Sequence, residues 1–194
     1  MLTLYGGNAS RAFRVAWLLH ELNQEFTREL SRPHAPDVKS LNPLGQVPVL
    51  TDGDMVLTDS VAILHYLADR FEQFTDAAGT PERALMDARI NFVLTEMEAP
   101  IWLMARHGFV LPEAERKPGM RAVAEPDFAR GEAKFARLLG DAEFIAGDGF
   151  TIADIVAGQT LNWSEAAKIS LQSQPVIDYL ARLRARPAWA KARG

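Results

Sequence analysis

Cysteine is absent from the 194 residues. That excludes a disulfide scaffold, thiolate zinc sites and every mechanism with a cysteine nucleophile. Histidine is scarce: His20, His34, His65 and His107 lie far apart and match no HxxxH-type spacing, so no metal is expected. Positive charge is not in excess either. With 21 Lys and Arg against 25 Asp and Glu the net charge is −4, which gives no basic footprint for nucleic acid. No uncharged apolar run approaches the roughly 20 residues of a membrane span, so no membrane association is expected. The opening MLTLY lacks the basic and apolar regions of a secretory signal. What remains, 48% hydrophobic and 24% charged, is ordinary for a soluble globular chain. At about 150 residues per domain it makes one large domain or two small ones, and a cytoplasmic location is expected.

The two halves differ in pattern. In the first, LTLY (2–5) reads as a strand, Gly6-Gly7-Asn8 as a turn, and residues 11–22 as a helix with apolar residues at helical spacing. EFTREL (25–30) alternates as a second strand. A polar loop broken by Pro33, Pro36 and Pro43 runs to Gly45. Residues 47–51 and 55–58 flank Asp52-Gly53-Asp54 as a hairpin, and a helix covers 60–71. The order β-α-β-loop-β-β-α fits a small α/β layer fold. After a linker near 74–80 the strands stop. A helical pattern covers 81–107, with Pro100 expected to kink or break it. A loop spans 108–120, and further helices end near Leu139-Gly140, begin at Thr151, and cover 174–186 and 187–193. Thr151-Ile-Ala-Asp154 is a capping-box pattern with Phe150 and Ile155 placed as a hydrophobic staple. The expected division is 1–75, α/β, and 81–194, all-α.

Three features of the first half bear on chemistry. Pro48 cannot donate to a sheet ladder, so it belongs on an edge or at the start of a strand. There it leaves Val47 either as a plain edge or with backbone groups able to pair an extended, peptide-like ligand. Ser10, before the first helix, reads as an N-cap or as a hydroxyl that donates to an anion at that helix N-terminus. Asp59-Ser60 poses the same question at the next helix. Two helix N-termini and a free strand edge from one small sheet could converge on a single acidic, peptide-like ligand.

The segments LYGGNASRAFRV, NPLGQVPVL and DGDMVLTDSVAILHYL resemble the thioredoxin-like half of the cytosolic glutathione transferases, and FIAGDGFTIADIVAG resembles the family's buried capping motif. The serine five residues after Tyr5 is most similar to theta-type and related bacterial members. The resemblance implies a thioredoxin-like N-terminal domain followed by an all-helical domain, glutathione as co-substrate, a small electrophile as second substrate, and a homodimer. It implies that Pro48 is cis and that Val47 pairs with the cysteinyl part of glutathione. Asp59 would take the γ-glutamyl ammonium and Ser60 its carboxylate, with His34 and Gln46 at the glycyl end. Gln46 stands where theta-type members often carry lysine, and Asp59 where glutamate is commoner.

Ser10 would point its hydroxyl at the thiol, and that hydrogen bond together with the helix N-terminus is expected to lower the thiol pKa by about 2 units. Asn8 and Tyr5 are its rivals for that role, Asn8 as an amide donor in the turn and Tyr5 as the tyrosine used by other classes of the family. On helix geometry Trp102 and Arg106 share a face and, with Asn8, would border the electrophile pocket. A glutathione-dependent peroxidase or disulfide reductase would use the same thiolate. A non-catalytic interaction module with this fold is the alternative from a different class.

Overall fold

A computed structural model describes all residues, 1–194. It falls into two units: Met1–Ala78 together with Arg184–Gly194, and Gly79–Leu183.

The first unit is built on a four-stranded sheet of order β2-β1-β3-β4, with β1 Leu2–Tyr5, β2 Phe26–Glu29, β3 Val49–Asp52 and β4 Met55–Thr58. β1 pairs parallel with β2, and β3 pairs antiparallel with both β1 and β4. The parallel pair needs a crossover, and α1 (Ala12–Glu21) supplies it. Its residues Ala12 through Leu19 are all buried, so α1 is the core helix of the unit. The hairpin turns at Gly53, whose φ of +60° suits the Asp-Gly step. α3 (Ser60–Phe71) follows, and the whole is the expected thioredoxin-like βαβ–ββα arrangement.

Two local expectations needed correction here. The stretch expected to be a loop holds a short helix, α2 (Pro36–Leu41). Its proline stands in the first turn, where the missing N–H costs nothing. β3 begins at Val49 rather than 47, because Pro48 has no amide for the ladder and Val47 before it lies outside the strand.

In the second unit one helical run extends from 81 to 110: α4 (Pro81–Phe92), a π-helical stretch Val93–Glu98, α5 (Ala99–Ala105) and a last π-helical turn Arg106–Val110. Pro100 therefore does not break it. The wider turn just before it, closed by Ala99 N–H donating to the Leu94 carbonyl, absorbs the missing donor. An α-helix would have aimed that donor at the carbonyl of Glu96. This same carbonyl lies against Gly131 of α6 (Met120–Leu139), where an added Cβ would stand 2.3 Å from the oxygen. Gly131→Ala is expected to cost about 1–3 kcal/mol despite alanine's better helix propensity, because backbone must move to admit the methyl. Chemical denaturation of the variant measures it.

α7 (Ile152–Ala166) starts at the capping box the sequence predicts, and Phe150 and Ile155 are both buried. Buried Asp154 does more than cap. It accepts from Thr151 N (2.9 Å) and Thr151 Oγ1 (3.2 Å), and from Ile145 N (2.9 Å) and Tyr179 Oη (2.7 Å), so it ties α8 (Gln174–Arg184) and the preceding loop to α7. No helix is long and apolar enough to cross a membrane.

The last helix, α9 (Pro187–Arg193), corrects the expected boundary 81–194: it packs in the first unit, against α1. Trp189 is 3% exposed and meets Phe13 and Trp17 edge-on at ring separations of 4.8 and 4.7 Å. Arg186 donates twice to Glu21, at 2.6 and 2.9 Å.

Candidate functional site

The C-terminal end of β1 leads into a turn that only glycine can make. Gly6 has φ of +132°, and a Cβ there would stand 2.6 Å from that of Ala12. The space such a Cβ would occupy is bordered by Ser10 Oγ at 3.3 Å and Val47 Cβ at 3.2 Å. Ser10 and Val47, 37 positions apart by their residue numbers, thus meet over one glycine.

Ser10 is half-buried. Its Oγ accepts from Ala12 N at 3.2 Å and donates to the Gly7 carbonyl at 2.8 Å. It therefore serves the start of α1 as expected of a cap, though Arg11 is the residue adjoining the helix. A hydroxyl has one proton. To donate to a ligand, Ser10 must turn that proton away from Gly7 while Ala12 keeps the oxygen in place.

Val47 precedes a cis peptide to Pro48. Its own amide and carbonyl take no hydrogen-bond partner from the chain, although the residue is half-buried. Such groups require a partner, water or ligand. Buried Asn42, which the sequence reading passed over, holds the loop that presents them. Its side chain donates to the Gln46 carbonyl (2.9 Å) and accepts from Leu44 N (3.1 Å), and its carbonyl accepts from Gly45 N (2.8 Å). His34, at φ of +65°, donates its amide to the Gly45 carbonyl at 2.7 Å, and its ring lies where a Gly45 Cβ would be. The imidazole of His34 and the side chain of Gln46 are on exposed residues flanking this loop.

At α3, exposed Asp59 has φ of +68° and accepts from Val61 N (2.8 Å) and Ala62 N (3.1 Å) through one carboxylate oxygen. Ser60 is 1% exposed, and its Oγ accepts from Arg14 Nη1 at 3.3 Å. Arg14, fully buried among the apolar residues of the first two turns of α1, was also missed; its only sequence signal was a charge at a core-facing position.

Tyr5 ends β1, half-buried and registered against Glu29 and Val49. Asn8 is exposed and donates through Nδ2 to the Arg193 carbonyl of α9. Trp102 and Arg106 belong to the second unit. They line a groove of about 600 Å³ between the 81–110 run and α6, with Ala99, Leu103 and Arg130. Arg130 pairs with Asp127 and Lys134 with Glu96, whereas the Arg106 guanidinium has no ion-pair partner. No cluster of three or more His, Asp or Glu side chains could hold a metal ion.

Residues 1–69 match the family model "Glutathione S-transferase, N-terminal domain". Among curated proteins the chain is 33% identical to glutathione S-transferase GstA of Escherichia coli O157:H7, over 78% of this chain and 74% of that protein. Among solved structures it is similar to a glutathione transferase of Methylococcus capsulatus, at 28% identity and a TM-score of 0.87, covering 100% of this chain and 97% of that one. It is also similar to the theta class glutathione S-transferase of Xanthomonas axonopodis pv. citri with glutathione bound, at 28% identity and a TM-score of 0.83, over 98% and 96%.

Proposed function

This chain belongs to the glutathione S-transferase family, and from that premise we propose that it binds glutathione at the Val47–Ser10 site, stabilises its thiolate and joins it to a small electrophile. The open backbone of Val47 beside Ser10 Oγ carries the reading. The cysteinyl residue of glutathione is itself a peptide unit, and its N–H and C=O match the unpaired C=O and N–H of Val47 as an added strand would. That pairing sets the thiol over Gly6, within reach of Ser10.

The γ-glutamyl end then runs toward α3. Ser60, through its hydroxyl and its own amide at the start of α3, suits its carboxylate, and the carboxylate oxygen of Asp59 not used in capping suits its ammonium. His34 and Gln46 suit the glycyl end. Gln46 offers a neutral amide to that carboxylate, a weaker partner than a charged side chain.

The thiol gives its proton to water, and the thiolate stays ionised because the Ser10 hydroxyl and the N-terminus of α1 stabilise it. Its sulfur lone pair then forms the new C–S bond at the electrophilic carbon while the leaving group departs with its bonding pair. No enzyme base is needed. We place the electrophile's contacts on Trp102 and Arg106, and we take the active form to be a homodimer.

A kinetic panel tests this reading. Conjugation of an activated aryl halide, with saturable dependence on glutathione, is the expected result. Turnover of hydroperoxides or glutathione disulfides alone would overturn conjugation as the activity.

A further inference from the structure

We infer that α9 is a positioning element for the serine turn, acting through Asn8; this rests on the glutathione site proposed above. α9 is held to the first unit in three places. Its start is held by the two hydrogen bonds from Arg186 to Glu21, whose carboxylate also accepts from Trp17 Nε1 at 2.8 Å. Its middle is held by Trp189 against Phe13 and Trp17. These two attachments account for docking of a seven-residue helix.

The third attachment has another consequence. At its last turn, where helix carbonyls lack intrahelical partners, Arg28 of β2 donates to the Ala192 carbonyl at 2.6 Å and Asn8 donates to that of Arg193. Both residues of the sheet end and its turn are thereby fixed to the helix.

Asn8 shares a peptide plane with the Gly7 carbonyl. That carbonyl is the acceptor now holding the Ser10 hydroxyl proton, at 2.8 Å, and it also accepts from Ser10 N at 3.1 Å. The orientation of this one peptide decides how strongly Gly7 competes with a thiolate for the proton. Pinning Asn8 to α9 fixes that orientation. Asn8 is on this account a positioning residue, and its amide is directed at a backbone carbonyl rather than at the thiol.

The test measures the titration midpoint of the glutathione thiol in complexes with wild type, Asn8→Ala and Ala190→Pro, by thiolate absorbance, alongside glutathione affinity and thermal midpoint. Ala190 is exposed, and proline there removes the helix bond to the Arg186 carbonyl and forces Trp189 from helical conformation, so α9 is disrupted from its first turn while the Asn8 side chain is unchanged. Both variants are expected to bind glutathione within about twofold of wild type and to show about threefold less thiolate near pH 6, a factor one neutral hydrogen bond carries. If both titrate as wild type does, the inference is overturned and the glutathione site stands. If only Asn8→Ala shifts, Asn8 acts on the thiol directly and α9 has no positioning role. If wild type itself leaves the thiol at its solution value, the site reading fails and this inference fails with it.

Discussion

Asp154→Ala is expected to remove about 3–5 kcal/mol of stability, a large part of what a domain of ordinary stability has. The carboxylate is fully buried and accepts from Ile145 N, Thr151 N, Thr151 Oγ1 and Tyr179 Oη. Alanine leaves those donors buried without acceptors, and each such group costs about 1–3 kcal/mol. Asp154→Asn provides a milder variant. Its remaining oxygen can serve Ile145 and Tyr179, but its amide nitrogen then faces the Thr151 N–H donor to donor. Urea melts of the three proteins check the order wild type, Asn, Ala.

The same pair gives a pH signature. Burial first, and then the Asp154 carboxylate, hold the Tyr179 phenol well above its usual ionisation range. The native phenol therefore stays protonated where the unfolded one has ionised. Its contribution is complete below pH 10 and is lost as pH rises beyond that, at about 1.4 kcal/mol per pH unit. Tyr179→Phe is expected to lack this slope. Burial also raises the pKa of Asp154, against the pull of its hydrogen bonds. Its native form thus takes up a proton before its unfolded form does, and this carboxylate does not drive acid unfolding.

Ser10→Ala is expected to keep glutathione binding within a few fold and to lose most of the thiolate. A free thiol near pKa 8.5 must drop by about 2 units to be largely ionised at neutral pH, which takes about 2.7 kcal/mol. A hydroxyl donating to a charged acceptor supplies roughly 1.5–3 kcal/mol. The structure reduces that figure, because Ser10 Oγ gives up its bond to Gly7, a neutral interaction worth about 1 kcal/mol. The hydroxyl thus accounts for about 1 unit, and the N-terminus of α1 must supply part of the rest. Conjugation at pH 6.5 is expected to fall about fivefold in kcat/KM, approaching about tenfold at lower pH, with the pH profile moving up by about 1 unit. An unchanged profile would shift the role to Tyr5 or Asn8.

Elements set by local pattern were legible in the sequence. The strand 55–58 and the helix 60–71 coincide with β4 and α3 as observed, since a glycine turn and an apolar 3.6-residue period define each by themselves. The capping box at Thr151 was legible for the same reason. Where tertiary context decides, the pattern misled. PDVKSL reads as loop because Pro33 and Pro43 flank it and Pro36 begins it, yet Pro36 sits at a helical first turn. Pro100 reads as a break because an α-helical period has no place for the π turn that accommodates it. Nothing in PAWAKAR shows that Trp189 packs on α1 rather than on the helices preceding it. Of the proposed site, Ser10, Val47, Pro48, Asp59 and Ser60 were singled out in the sequence from turn and cap chemistry. Asn42 and Arg14 were not, because a polar side chain that satisfies buried backbone, or one serine, leaves no periodic trace.

The most direct test of the account is a calorimetric titration of the wild-type protein with glutathione near neutral pH, with the thiolate absorbance followed in the same samples. The account predicts saturable one-site binding at or below millimolar concentration, with thiolate appearing in step with occupancy. Absence of binding heat at millimolar glutathione would contradict it and leave the open backbone of Val47 as the edge of a scaffold.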